Sequence, residues 1–456
     1  MNSNPNQSTF QTFLKYSIPC IIGLFLTSFI TIVDGLFIGW RLGEKGLAAV
    51  NLTLPVLYIL LALTIMIGVG GVTFGAQKLG EKNKPLANYF FSSAFVINII
   101  VNLAAMVILI VFQDGIIHLL NANGILKGYV RDYLGVIKYF YLFMMTNLTF
   151  SMFIRSEGKP QLSLVFGLAG NILNIVLDYL FIMKWNYGMK GAALASGVSV
   201  LIPFIFGILY FSSKRSVYKL IRFKLKFIDL QKMVFCGSAE FISQIATSIT
   251  IYIFNRVILN RMGINGVAAY TVIGYVLFFQ SMILTGIAIG IHPLISFHFG
   301  AKNKDAIFNL LSIALKSVFI LGIVFLLVAF FGSHAIVSIF SPKNETLSTG
   351  KAFLDIAGYG LKIFAFYFLL NGYNMIAAAY FTSVCEFKAA AIVSLLRSLV
   401  LINILVLTLP YLFGNTGIWL AAPLTEGLTF IFSYFQIKQS KSILLNINPE
   451  AKLSLG

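Results

Sequence analysis

RLGEKGLAAVNL, from Arg41 to Leu52, returns 220 residues later as RMGINGVAAYTV, from Arg261 to Val272. GEKNK at Gly80 to Lys84 returns at the same offset as GAKNK at Gly300 to Lys304. A weaker third match, GMKGAALAS from Gly188 and GNTGIWLAA from Gly414, has a slightly different offset, as expected where loops drifted between duplicated halves. The chain therefore reads as one unit written twice.

The letters around these anchors say what kind of unit. Hydrophobic residues make up 59% of the 456 and charged residues only 11%, too apolar for a soluble core. A spanning helix needs about 20 mostly apolar residues. Such runs occur near 13–40, 51–77, 88–112, 130–154, 161–184 and 190–212, and again near 230–259, 266–298, 306–332, 351–381, 387–411 and 416–437. The expected fold is an all-α polytopic membrane protein with twelve transmembrane helices in two pseudo-symmetric six-helix lobes. Its expected parts are an N-lobe at 1–213, a basic cytoplasmic linker at 214–229, a C-lobe at 230–440 and a cytoplasmic tail at 441–456. An even number of spans per half makes both halves enter from one side, so the pseudo-symmetry axis runs along the membrane normal and a central cavity lies between the lobes.

A net charge of +18 fits nucleic acid or anionic lipid. The basic linker KRSVYKLIRFKLKF, Lys214 to Phe227, and the bias of bases towards one set of loops favour lipid, with both termini cytoplasmic and no nucleic-acid partner. Cys20, Cys236 and Cys385 each lie in or at the end of an apolar segment, which points to packing rather than a disulfide or metal knuckle. The first twenty residues have no short apolar core before a small-residue cleavage site, so no removable signal peptide is expected.

Ionisable groups inside the spans cost at least ~2.5 kcal/mol each on insertion scales, so each needs a partner or a role. Asp34 lies six residues from Trp40, and Asp178 six from Lys184. At ~1.5 Å per residue both carboxylates lie ~9 Å below the outer helix ends. Ser196 reaches the same level from Lys190, and Asn174 shares a helical face with Asp178. The nearest base, Lys138, lies close enough to a span end to snorkel outward. The four oxygen-bearing side chains thus form a candidate site for Na⁺, or for H⁺ carried on a carboxyl; helix packing through hydrogen bonds is the alternative. In the second half Glu240 and Glu426 face Lys362 and Arg397, a balanced set expected to form a buried charge network or to contact substrate. Pro19, fifteen residues before Asp34, is placed to let its helix bend. The histidines show no metal-ligand spacing, and no GxxxxGK[ST] loop occurs. An ion gradient is left as the energy source.

The strings IVDGLFIGWRLGEKGLAA, RSEGKPQLSL, NIVLDYLFI, GMKGAALAS, GIHPLISFHFGAKNK and GIWLAAPLTE, in this order on a duplicated frame, resemble the multidrug and toxic compound extrusion family, especially its bacterial multidrug branch. The resemblance covers essentially the whole chain. It implies two six-helix lobes around a V-shaped cavity in the bacterial inner membrane, rocker-type alternating access, and export of cationic amphiphiles by antiport with Na⁺ or H⁺. It implies no cofactor and no catalysis. It places an N-lobe cation site on Asp34, Asn174, Asp178 and Ser196, with Pro19 as the kink-former. Some relatives instead bind Na⁺ through a Glu on helix 7 and an Asp on helix 10. Here Glu240 sits nearer its helix start and no mid-span acid occurs on helix 10, which weakens a C-lobe site. The expected partners are small cationic substrates and membrane lipid, with a monomer as the working unit. An exporter or flippase for a lipid-linked or endogenous cargo is the alternative; a lipid-modifying membrane enzyme lacks a nucleophile or metal constellation.

Overall fold

The computed structural model describes residues 8–120, 124–339 and 347–446, and among these every regular element is helical. In chain order the long helices are α1 Thr9–Gly43, α2 Lys45–Gly80, α3 Lys84–Val111, α4 Ile125–Ser156, α5 Pro160–Lys184, α6 Gly188–Ser212, α7 Phe227–Gly263, α8 Ala269–Gly300, α9 Lys304–Phe331, α10 Leu354–Phe364 with Tyr367–Ser383, α11 Phe387–Phe413 and α12 Asn415–Leu445. Ten are long and apolar enough to cross a membrane, and α10 is an eleventh span bent by 47°. The twelfth, α4, has 32 residues but carries Lys127, Arg131, Asp132 and Lys138, which dilute its hydropathy.

The duplication seen in the letters is repeated in the backbone. Gly43 (φ 65, ψ −162) and Gly263 (φ 65, ψ −159) break the chain between the first two helices of each half. Both lie in a region that essentially only glycine adopts. Lys82 and Lys302 both have positive φ, and the next residue caps a helix: the Leu86 N–H donates to Asn83 Oδ1 at 3.1 Å, and the Ala306 N–H to Asn303 Oδ1 at 3.0 Å. Short helices Gln113–Leu119 and Ser333–Ile339 also stand at the same offset.

By contact the described chain forms two compact units, Leu14–Phe241 and Ser8–Phe13 together with Ile242 onward. The division falls inside α7. A Cβ on Gly237 would lie 1.9 Å from the Met66 carbonyl oxygen, and one on Gly70 would lie 2.1 Å from that of Met233. Two glycines thus let α2 and the start of α7 pack backbone to backbone, holding that start in the first unit. Glu240, expected in the second lobe, belongs to this first unit.

The first unit has an aromatic core in which Phe91 packs on Phe153, Phe211 and Tyr218. The second is built around Trp419, Phe368, Phe364 and Phe254. The sequence predicts a single span over 351–381, and no proline marks the bend in α10. At the bend Phe366, Phe368 and Leu369 donate to the carbonyls three residues back, a tighter turn than the α-helix. Gly322 of α9 fills the gap, with a would-be Cβ 2.6 Å from the Phe368 carbonyl. The tail expected from 441 begins inside α12, and its residues 447–456 lie outside the described ones.

Candidate functional site

Asn174 and Asp178 stand one turn apart on α5, 5% and 1% exposed. From α1, the Asp34 carboxyl lies in electrostatic range of the Asp178 carboxyl. The two acids placed at one depth by counting residues are thus neighbours. Directly after Asp178 the helix widens to a π-turn, Tyr179–Lys184, where the Trp185 N–H reaches back five residues to Leu180 O at 2.8 Å. Such a widening rotates the following side chains and is frequent at functional sites.

The pair's chemistry lies in what it lacks. Among the described residues Asp34 Oδ1, both Asp178 carboxyl oxygens and Asn174 Nδ2 are buried without a hydrogen-bond partner, although buried polar atoms are almost always satisfied. No lysine or arginine forms an ion pair with either acid among the described residues. Tyr133 of α4 is in electrostatic range of both. Three such carboxyl oxygens on neighbouring acids suit a dehydrated monovalent cation or a proton.

The surrounding helices are tied to one another near the ends closest to the pair. Arg41 Nε donates to Asn186 Oδ1 at 2.9 Å, joining α1 to the turn after α5. Lys190 of α6 lies 3.6 Å from Asp132 of α4. Lys138 is 7% exposed, and its ammonium reaches towards the Arg131 end of α4, donating to Gln113 Oε1, while Gln113 Nε2 donates to the Arg131 carbonyl at 3.1 Å. This network turns the nearest base towards Gln113. Ser196 is half-buried on α6, and its hydroxyl makes no hydrogen bond to the pair among the described residues; its carbonyl accepts from Ser199 Oγ at 3.0 Å. Pro19 lies within α1, whose backbone leaves helical angles only at Gly43.

In the second unit, two of the four expected charges join. Arg397 donates to Glu426 Oε1 from two nitrogens, at 2.9 and 3.3 Å, and also to Asn371 Oδ1. Asn374 Nδ2 donates to Glu426 Oε2 at 2.6 Å, and Asn371 Nδ2 to Gln280 Oε1 at 3.1 Å. Arg397 sits in a second π-turn, Leu396–Val400. Lys362 is half-buried and makes no ion pair among the described residues, and Glu240 lies in the other unit. Sequence reasoning about charges overlooked the neutral members Gln280, Asn371 and Asn374. The available signal was two amides three residues apart on one face of an apolar run.

The MatE family model matches residues 19–180 and 241–409. The chain is 27% identical over 416 residues to the multidrug export protein MepA of Staphylococcus saprophyticus, covering 90% of this chain and 89% of the relative. It is equally identical over 433 residues to MepA of Staphylococcus haemolyticus, covering 94% and 93%. A crystal structure of a MATE in complex with MaL6 superposes with a TM-score of 0.89 at 21% identity, covering 97% of this chain and 98% of that one. With the family model matched in both halves, the chain is a member of the MatE family.

Proposed function

We propose that this protein is a secondary active efflux transporter of the multidrug branch, exporting cationic amphiphilic compounds in exchange for Na⁺ or H⁺ by alternating access. The observation that carries this reading is the Asp34–Asp178 pair: among the described residues Asp34 Oδ1 and both Asp178 oxygens are buried with no hydrogen-bond partner, and neither acid has an ion-pair partner. The similarity to multidrug export proteins over about nine-tenths of the chain supports the choice of cargo. The first lobe is residues 1–213 and the second runs to 440, joined by the basic linker 214–229 and by the start of α7, which to Phe241 packs with the first unit; both termini and the 441–456 tail lie in the cytoplasm of a bacterial cell. The working unit is a monomer.

The residues themselves do the coupling. A cation bound between Asp34 and Asp178 neutralises them and favours one packing of α1 against α5; its release leaves two like charges facing each other and favours another. Asn174 supplies a neutral oxygen or amide as the pair changes state, and Ser196 adds a hydroxyl when α6 moves. If the cation-bound packing binds cargo more weakly, linkage makes the antagonism reciprocal, and exchange needs nothing further. Pro19 removes one backbone hydrogen bond from α1 and so lowers the cost of bending it. Arg397 and Glu426, fully engaged with each other and with two asparagines, hold the second lobe together.

The test is efflux of ethidium from proteoliposomes under an imposed Na⁺ or pH gradient applied separately. One gradient drives wild-type export, and Asp34→Asn abolishes the coupling while the protein still binds dye. Failure of both gradients to move any of several cationic dyes would overturn the multidrug reading.

A further inference from the structure

The connection between α6 and α7, residues 213–226, is an extended segment without helix, yet it is fixed closely to the first unit. Its anchor is Glu157, 4% exposed at the end of α4. That carboxylate accepts from Ser216 Oγ and Tyr210 Oη, and from the Val217 and Tyr218 N–H groups at 3.0 and 2.9 Å. Further along, the Lys219 N–H donates to Asn88 Oδ1 at 2.9 Å, and the Ile221 N–H to Ser92 Oγ at 3.0 Å. Tyr89 Oη, donating to Asp229 at 2.9 Å, accepts from the Lys226 N–H. Tyr218 is buried in the aromatic core.

This stitching decides what the segment shows to its surroundings. Lys214, Arg215, Arg222, Lys224 and Lys226 are exposed, and none forms an ion pair among the described residues. Interleaved with them, Leu225 is 45% exposed, and Phe227 and Ile228 in the first turn of α7 are 71% and 56% exposed. Because the segment joins two spans, it lies at the edge of the bilayer. Bases and large apolar side chains alternating on a fixed strap at that depth match a surface with negative headgroups above acyl chains.

We infer that residues 214–228 form a docking surface for anionic phospholipid, with the bases binding the headgroup phosphates and Leu225, Phe227 and Ile228 entering the acyl boundary. Glu157 holds the strap in the binding conformation. The inference rests on the chain spanning a bilayer and is independent of what the protein exports, so failure of the dye assay leaves it standing.

The experiment titrates purified full-length protein in a zwitterionic detergent with phosphatidylglycerol, then with phosphatidylcholine, and reads retained lipid by native mass spectrometry. Phosphatidylglycerol binds preferentially. Each base neutralised in Arg222→Gln, Lys224→Gln and their combination weakens its apparent affinity about five-fold, as expected for about 1 kcal/mol per basic residue near an anionic surface. The matched change in Lys45→Gln, an exposed base away from the strap, leaves that affinity unchanged. Phe227→Ser weakens phosphatidylglycerol binding with the bases intact, and inorganic phosphate does not compete. Equal lipid retention by wild type and Lys224→Gln overturns the inference. So does competition by inorganic phosphate at the lipid's own concentration, which would make the strap a free-anion site.

Discussion

Replacing Arg397 with Met removes, among the described residues, the one basic group paired with Glu426 and leaves a 3%-exposed carboxylate held by Asn374. Two hydrogen bonds from the guanidinium, at 2.9 and 3.3 Å, are lost together, as is the bond that engages Asn371 Oδ1. Stranding one member of a buried pair costs about 3–5 kcal/mol. Removing both members in Arg397→Met/Glu426→Met leaves no charge behind, so its cost falls well below the sum of the two single changes. The expected coupling is at least ~2 kcal/mol. The assay is equilibrium unfolding of the detergent-solubilised protein for wild type, both single variants and the double variant. A single-variant cost under ~1 kcal/mol, or strictly additive costs, would show that the pair does not hold the second unit.

Gly237→Ala puts a methyl 1.9 Å from the Met66 carbonyl, so it forces α2 and α7 apart and lowers thermal stability sharply. Gly128→Ala meets nothing within 4 Å and leaves the melting temperature the same or slightly higher, since alanine favours the helix by up to ~1 kcal/mol. Gly43→Ala and Gly263→Ala each destabilise by about 1–3 kcal/mol, because both backbones sit where only glycine is unstrained; comparable losses at the two positions in melting experiments check the equivalence of the halves. Glu157→Gln removes charge-assisted hydrogen bonds worth about 1.5–3 kcal/mol each, and limited trypsin digestion then cuts after Arg215 or Arg222 faster than in wild type.

The duplicated frame was legible because it is written in short-range chemistry. A glycine forced to positive φ and an asparagine cap leave the same letters wherever they are needed, as at Gly43 and Gly263 or Asn83 and Asn303. Depth along a helix was legible too, since rise per residue is fixed, and it brought Asp34 and Asp178 to one level. Direction around the helix axis was not. Counting residues puts Ser196 at the level of the pair but cannot say that its hydroxyl makes no hydrogen bond to the pair among the described residues, nor that Lys138, reaching towards its helix end, meets Gln113. The bend in α10 left no proline to find; it shows only in the carbonyls that Phe366, Phe368 and Leu369 choose. Glu240 was assigned by position in the chain, but its helix start follows the glycine contact with α2.

In the proposed exchange the Asp34–Asp178 pair binds the coupling cation in competition with cargo. Ethidium binding to purified wild type and Asp178→Asn, measured by fluorescence anisotropy while Na⁺ concentration and pH are varied in turn, tests this competition. Raising one of the two cations weakens dye binding to wild type and has no effect on Asp178→Asn. An Asp178→Asn protein that keeps the full cation dependence of wild type would contradict it.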